Sequence, residues 1–433
     1  MFKYIKQIWN SKDLRKKILF TVAILVVYRI CTQISIPGAD LEAIKTIVNK
    51  NELLGIFSAL TGGSAENFSI ILMGLSPYIN ASIIMQLMTV IVPKLENLSK
   101  EGESGRKKIN QYTRWLTVPI AFLQSYGMIV LINSQAGGIP IVPDIANPAV
   151  VLPIMLTITA GTVLVMWLGE LITENGIGNG ISLIIFAGII ANIPTMLGST
   201  LSLTVAESER LIPFVLMLLV TIALLVFVIL VTEGNRQIPI IYAGRGTRGK
   251  SDHAVLPIRI NQAGMIPIIF GVSMATFPGV LAQLFANSEN GTLQGIANTI
   301  QTYFYFNSPL YILVYFGLVI AFTYFYVSIT FNPEQVADNL QKRGGYIPGI
   351  RPGTETADYL GKVSSRLNLW GGLFIAFIAV LPIILSNAFT SLAIGSVPLL
   401  ITGAGMIIIV GVVLELIRQV NAQLVMHDYS KFY

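Results

Sequence analysis

The sequence predicts an all-α, polytopic membrane protein of ten transmembrane helices with both termini in the cytoplasm, and three observations carry that prediction. Of the 433 residues, 54% are apolar and only 12% charged, where a soluble domain carries about 25% charged residues. Nearly uncharged windows of about 18 residues or more, long enough to cross about 30 Å of hydrocarbon as helix, recur along the whole chain. All but four of the 28 Lys and Arg residues, the exceptions being Arg29, Lys45, Lys50 and Arg210, fall on one side of the ten-span reading. Backbone in lipid must satisfy its own hydrogen bonds, and uninterrupted apolar runs suit helices rather than the alternating strands of a barrel.

Taken in order, the spans lie near 18–36, 68–92, 115–134, 150–172, 181–201, 211–232, 264–286, 308–330, 370–387 and 397–417. The segment 1–17 before the first holds Lys3, Lys6, Lys12, Arg15, Lys16 and Lys17. That first span is too long for a signal-peptide core, and Cys31 to Pro37 is no small-residue cleavage site, so the span is expected to be retained. The loop after span two holds Lys94, Lys100, Arg106, Lys107, Lys108 and Arg114. The loops after spans six and eight add Arg236, Arg245, Arg248, Lys250 and Arg259, then Lys342, Arg343, Arg351, Lys362 and Arg366, and the tail 418–433 adds Arg418 and Lys431. An even number of spans satisfies the positive-inside rule at every loop, so any error in their number must come in compensating pairs. A lone cysteine, Cys31, sits within a span and supports no disulfide framework.

The interior of the spans is almost free of charge. Ion-coupled transporters carry Asp, Glu or His near the bilayer midplane, because a moving proton or cation needs a titratable or coordinating group there. Here Glu170, Glu174 and Glu415 fall at cytoplasmic span ends, and His253 and His427 in cytoplasmic segments. Arg29, in the outer third of span one, is the exception; snorkelling to the outer interface is expected, with a buried ion pair as the alternative.

Three loops stand out. Gly244 to Ser251, GRGTRGKS, matches the phosphate-loop pattern letter for letter. Yet Pro257 breaks the stretch where a helix would be needed, and the loop 233–263 has no room for a nucleotide-binding sheet. Two other readings stand: a protruding hairpin with β-prone arms Gln237–Ala243 and Ala254–Ile260, or a solvated basic loop that only sets topology. The loop 331–369 carries Ile347 to Gly353, IPGIRPG, in which two prolines and two glycines give a stiff, exposed setting for the guanidinium of Arg351, suited to an acidic or phosphate-bearing partner or simply to a tight turn. On the outer side, Leu53-Leu54-Gly55-Ile56-Phe57-Ser58-Ala59-Leu60-Thr61-Gly62-Gly63-Ser64-Ala65 is apolar but too short to span, and either lies at the interface or folds back into the protein.

At this point the residues match a family. Ser69 to Met88, SIILMGLSPYINASIIMQLM, resembles the first signature of the SecY protein-translocation channels, and Trp167 to Ile184, WLGELITENGIGNGISLI, resembles the second. With Ile347 to Gly353, ten spans and the chain length, the resemblance covers nearly the whole sequence. The short GIGNG within the second signature lacks the flanking strand and helix of a dinucleotide fingerprint.

The resemblance implies two halves related as an inverted repeat, 18–201 with spans one to five and 211–417 with spans six to ten, hinged at 202–210 around a central pore. It implies a pore ring of Leu75, Ile79, Ile181, Ile185, Ile269 and Ile408. The four-residue spacing of Leu75 and Ile79, and of Ile181 and Ile185, puts each pair on one helix face; for any such residue lipid contact or helix packing is the plain alternative. An aliphatic ring dewets when empty and holds no ion. The resemblance further makes Leu53 to Ala65 a plug, places a lateral gate at Asn80, Gln124, Ser273 and Phe277, and leaves Val272 where some relatives carry a polar residue. Its implied partners are the SecE and SecG membrane subunits, the SecA ATPase, the translating ribosome with its rRNA, preproteins with signal sequences, and the lipid bilayer. Docking falls to Arg245, Arg248, Lys250 and Arg351. No cofactor, no metal and no enzymatic activity are implied. The rival classes are a small-solute secondary transporter, which needs the missing midplane charge, and a membrane scaffold or insertase without a pore.

Overall fold

Each predicted span has a helix over it, and the helix ends show where apolar sequence does something else. The computed structural model of the protein describes residues 11–37, 44, 62–134, 142, 147–206, 211–242, 254–285, 291–304, 308–391 and 402–430. Among them α1 (Lys12–Cys31), α2 (Ser76–Ile91), α3 (Pro93–Lys100), α4 (Glu103–Ser134), α5 (Pro148–Asn175) and α6 (Gly180–Ala206) lie in the first half of the chain. The second half holds α7 (Leu211–Glu233), strands β1 (Asn235–Tyr242) and β2 (Ala254–Arg259), α8 (Ile266–Phe285), α9 (Gly291–Tyr303), α10 (Pro309–Thr330), α11 (Pro333–Lys342), β3 (Gly345–Tyr346), α12 (Thr354–Ser391) and α13 (Gly403–Ser430). Among the described residues seven helices are long and apolar enough to cross a membrane by themselves, or eight if the bent pair α2 and α3 counts as one span. The first helix carries Lys12, Asp13, Arg15, Lys16 and Lys17 in its opening turns. The apolar helical stretch between them and Arg29 is correspondingly short.

Several helices outrun the predicted spans, α4 starting at Glu103, α12 at Thr354 and α13 ending at Ser430, and the helices of the first two spans fall short of theirs. The first helix stops at Cys31, because Pro37 disfavours helix just before it and residues 34–36 run extended instead. Ile36 N donates to Phe68 O at 2.9 Å, and Ile70 N to Ile34 O at 2.9 Å. The second span therefore enters as a buried, non-helical segment, and its helix begins only at Ser76, with Pro77 in the first turn where its missing N–H costs nothing. Leaving α2, Val92 is extended and Pro93 starts α3, turned 100° from its predecessor.

The chain divides into two compact units. One comprises Met1–Ser208, Thr276–Ser308 and Val412–Tyr433. Its core gathers Phe68, Leu72, Ile129, Ile132 and Ile158, all essentially inaccessible. The other comprises Glu209–Ala275 and Pro309–Gly411. In it α10 packs along α12, with Thr323 against Gly372, and Gly271 of α8 receives Val319 and Tyr315.

Among the described residues, this second unit also holds the three-stranded sheet. The predicted arms form a hairpin, β1 antiparallel to β2 from Asn235↔Arg259 to Ile240↔Ala254. Short β3 adds to the other edge of β1 through Ile241↔Tyr346 and Tyr242↔Gly345, giving the order β2-β1-β3. The described parts of the two long basic loops are thus one folded lobe, which a loop-by-loop reading does not anticipate.

Candidate functional site

The first signature is held by its backbone. Ser69 Oγ donates to Cys31 O at 2.7 Å and accepts from Ile71 N at 3.2 Å, fixing the buried segment to the end of α1. Phe68 adopts a positive φ of 43°, and Gly74 one of 50°, so the chain reverses twice before α2. A Cβ on Gly161 of α5 would stand 1.9 Å from Ile70 O, and only glycine admits that approach.

Just upstream lies the described end of the predicted plug, Gly62 to Ala65, whose residues are all buried; Leu53 to Thr61 lie outside the described residues. Ser64 Oγ donates to Leu72 O at 3.3 Å, and Ser69 N to Ser64 O at 3.0 Å. Arg29 Nη1 donates to Gly62 O at 2.5 Å. A main-chain carbonyl thus gives the guanidinium a partner within the protein.

The second signature is a turn between two helices pressed together. A Cβ on Gly180 would stand 1.9 Å from Gly169 O. Thr173 Oγ1 donates to Gly169 O and accepts from Gly180 N, both at 2.9 Å. Asn179 Oδ1 caps α6 by accepting from Ile181 N at 3.1 Å and Ser182 N at 3.3 Å. Thr21 Oγ1 on α1 accepts from Ile177 N at 3.2 Å and donates to Lys17 O at 2.9 Å. Thr21 escaped the sequence reading, since nothing in α1 marks it as the partner of a turn far along the chain. Arg114 Nε meets Glu170 Oε1 at 2.5 Å, joining α4 to α5.

Of the predicted ring, Leu75 caps the start of α2 and is buried, and Ile79 follows in its first turn, half-buried. Ile181 and Ile185 open α6, Ile185 buried and Ile181 half-buried with its Cγ1 over Gly169. Those four belong to one unit. Ile269 on α8, half-buried, and Ile408 on α13, with no accessible surface, belong to the other. Of the predicted gate, Asn80 sits half-buried on α2 and Gln124 on α4, where Gln124 Oε1 is buried without a hydrogen-bond partner among the described residues. Ser273 and Phe277 lie along α8.

The lobe presents Arg351. Its core is Ile238, Ile240, Ile258, Leu340, Ile347 and Leu360. Ile347 is buried, so the IPGIRPG turn is anchored at one end. Gly349 at φ +81° and Gly353 at φ +100° take the left-handed conformations the turn requires. Thr356 Oγ1 donates to Arg351 O at 2.8 Å, and the Arg351 side chain projects 87% exposed, its nearest carboxylate oxygen, on Glu355, at 3.9 Å. An exposed pair of that length is worth little, and it leaves the guanidinium open to an incoming acidic group. Arg245, Arg248 and Lys250 lie outside the described residues.

Comparison with known proteins gives a consistent result. The SecY family model matches residues 69–417. Proteins described as protein translocase subunit SecY are similar over full length: that of Halalkalibacterium halodurans is 41% identical, covering 100% of both chains, and that of Bacillus subtilis is 39% identical, covering 100% of this chain and 99% of the relative. Among solved structures, one described as a protein conducting channel aligns with a TM-score of 0.64 at 19% identity, over 94% of this chain and 92% of the other. Sec61 in the canine ribosome-channel complex from the endoplasmic reticulum aligns with a TM-score of 0.63, also at 19% identity and with the same coverage.

Proposed function

The chain belongs to the SecY family, and from that premise we propose that it is a protein-conducting channel of the plasma membrane. It passes unfolded preproteins across the bilayer and releases hydrophobic segments sideways into the lipid. One observation carries this reading: full-length similarity, at about two residues in five, to curated translocase subunits, with both signatures and the Arg351 turn present in this chain.

The proposed mechanism uses no bond chemistry of its own. Two halves, 18–201 and 211–417, move about the hinge 202–210, between the basic segment 1–17 and the tail 418–433. Leu75, Ile79, Ile181, Ile185, Ile269 and Ile408 form an aliphatic gasket that excludes water when empty and yields to a passing chain without sequence-specific bonds. The segment Leu53 to Ala65 plugs it from outside, and the buried end at Gly62 to Ala65 supports that role by giving the plug a fixed root. Asn80, Gln124, Ser273 and Phe277 line the lateral gate. Interhelical hydrogen bonds in a membrane are worth about 1 kcal/mol, small enough for an inserting signal sequence to displace. Gln124 Oε1, without a partner among the described residues, suits a site whose bonds are remade as the gate moves.

Directional work then comes from partners. SecA and the translating ribosome dock on the cytoplasmic lobe, through Arg351 and through Arg245, Arg248 and Lys250, where basic side chains meet acidic protein surface or rRNA phosphate. SecE and SecG complete the assembly in the membrane, and the chain itself catalyses nothing. The test is reconstitution with SecE and SecG in lipid vesicles, to which SecA, ATP and a preprotein are then added. Protease protection of the preprotein that depends on ATP is expected, together with crosslinks from the preprotein to Ile79 and Ile408. Protection without those crosslinks would favour a scaffold beside some other pore.

A further inference from the structure

We infer that α9, the amphipathic helix Gly291–Tyr303, is a foot that lies on the outer surface of the bilayer and binds lipid through Ile296 and Tyr303. On the topology read from the basic residues, α8 runs outward and α10 returns, so the helix between them belongs to the outer side. Its sequence suits no helix standing alone in water. Gly295, Asn298 and the threonines Thr292, Thr299 and Thr302 lower helix propensity, and 13 residues are marginal in length. A surface must therefore hold it. At about 100° per residue Ile296, Ile300 and Tyr303 share a face, with Ala297 beside it and Asn298 opposite. Ala297 is buried, yet Ile296 is 54% and Tyr303 57% exposed.

Depth, composition and charge make lipid the occupant of that exposed strip. The end of α9 turns back onto α8: Phe304 N donates to Ile300 O at 2.8 Å, and a Cβ on Gly279 would stand 3.8 Å from Phe304 O. Gly279 precedes the last residue of α8, Phe285, by a distance along the helix of about 9 Å. The foot thus lies back along the outer turns of a membrane helix instead of projecting into water. Ser308 Oγ donates to Tyr303 O just before α10 begins. The run Tyr303-Phe304-Tyr305-Phe306 ahead of Pro309 has the composition of an interfacial aromatic belt. Charge points the same way. No Lys or Arg occurs between Arg259 and Lys342, and α9 has no charged residue at all, so an acidic protein surface or an anionic headgroup finds nothing to pair with. Apolar area laid against acyl chains is what remains. Thr299, flanking Ile296, already donates its hydroxyl to Gly295 O at 2.8 Å and needs no water at that edge. Two exposed side chains also fall far short of the roughly 800 Å² per partner that a stable protein interface covers.

The test uses the full chain reconstituted with its partner subunits in liposomes of phosphatidylcholine, alone or with added phosphatidylglycerol. Ile296→Cys, Tyr303→Cys and Asn298→Cys, each in a Cys31→Ser chain, carry a nitroxide whose relaxation by oxygen reports lipid and by a water-soluble nickel chelate reports water. Oxygen should dominate at 296 and 303 and nickel at 298, in both lipids. Nickel dominance at 296 and 303 would put the helix in water, and shielding from both reagents would mean that a second copy or a subunit covers it. Oxygen dominance confined to the anionic liposomes would mean that charge holds it. Each of these three results overturns the inference. Because a label can disturb a helix, Ile296→Asp is also set against Asn298→Asp in the otherwise natural chain, read by hydrogen exchange over 291–303. Ile296→Asp should speed exchange at least about tenfold, as expected for losing the contact of one isoleucine side chain, and Asn298→Asp should change it by about twofold at most. Equal exchange in the two variants would refute the lipid contact.

Discussion

The crossing of α5 with α6 and the β-sheet lobe are both tightly packed, yet one is made by removing side chains and the other by burying them. At the crossing Gly169 and Gly180 bring backbones together, and Thr173 and Asn179 satisfy the polar groups this exposes. In the lobe Ile238, Ile240, Ile258 and Leu360 close over one another. The difference arises from the solvent. Lipid tails are as apolar as leucine, so apolar contact alone does not favour helix association in a membrane, and close approach with internal hydrogen bonds must. The lobe, on the topology read from its basic residues, is expected to lie in water, where removing apolar area gives roughly 25 cal/mol per Å².

Substitutions at matched positions test that contrast. The largest effect is expected from Gly180→Leu, because even a Cβ there falls 1.9 Å from a carbonyl oxygen; no folded complex should co-purify with partner subunits from detergent. A normal yield would show that the crossing can yield. Next comes Ile240→Asp, which puts a carboxylate among buried aliphatic groups at a cost of several kcal/mol. Limited trypsin should then cut within 235–259 while the membrane complex still co-purifies, and an uncut lobe would deny it a hydrophobic core. Asn179→Ala removes an N-cap and should lower stability by about 1 kcal/mol, read as a small drop in melting temperature in detergent. Smallest in structure is Arg351→Glu, whose side chain is 87% exposed. Melting should not move, while SecA-driven export into vesicles is lost; unchanged export removes Arg351 from the coupling role.

Much of this was legible in the sequence, for identifiable reasons. Apolar windows located the ten helices because membrane thickness sets their length. β-prone arms located the hairpin, and proline and glycine marked Arg351 as exposed. The ends of α1 and α2 were not legible. Ile34 and Ile36 pair with Ile70 and Phe68 as extended chain, and an apolar run reads alike as buried helix or buried strand. The partner of Arg29 was hidden because a carbonyl acceptor carries no residue-type signal at all. Glycines in both signatures were visible as glycines, but which backbone each faces depends on a neighbour remote in the chain. The merging of the two loops was hidden for the same reason, since β3 is only Gly345–Tyr346 and has no strand signal of its own.

The lobe's shared strand has a mechanical consequence. β1 follows α7 directly and β2 leads to α8, while β3 follows α10 and α11 and leads to α12. Leu360, in the early turns of α12, is itself part of the lobe's core, so this helix is a continuous shaft from the lobe toward the bilayer. A load applied at Arg351 is divided among several stems instead of peeling one loop from its neighbour. Apart from the later turns of α8, these stems belong to one compact unit, so a force on the lobe is a force on that piece.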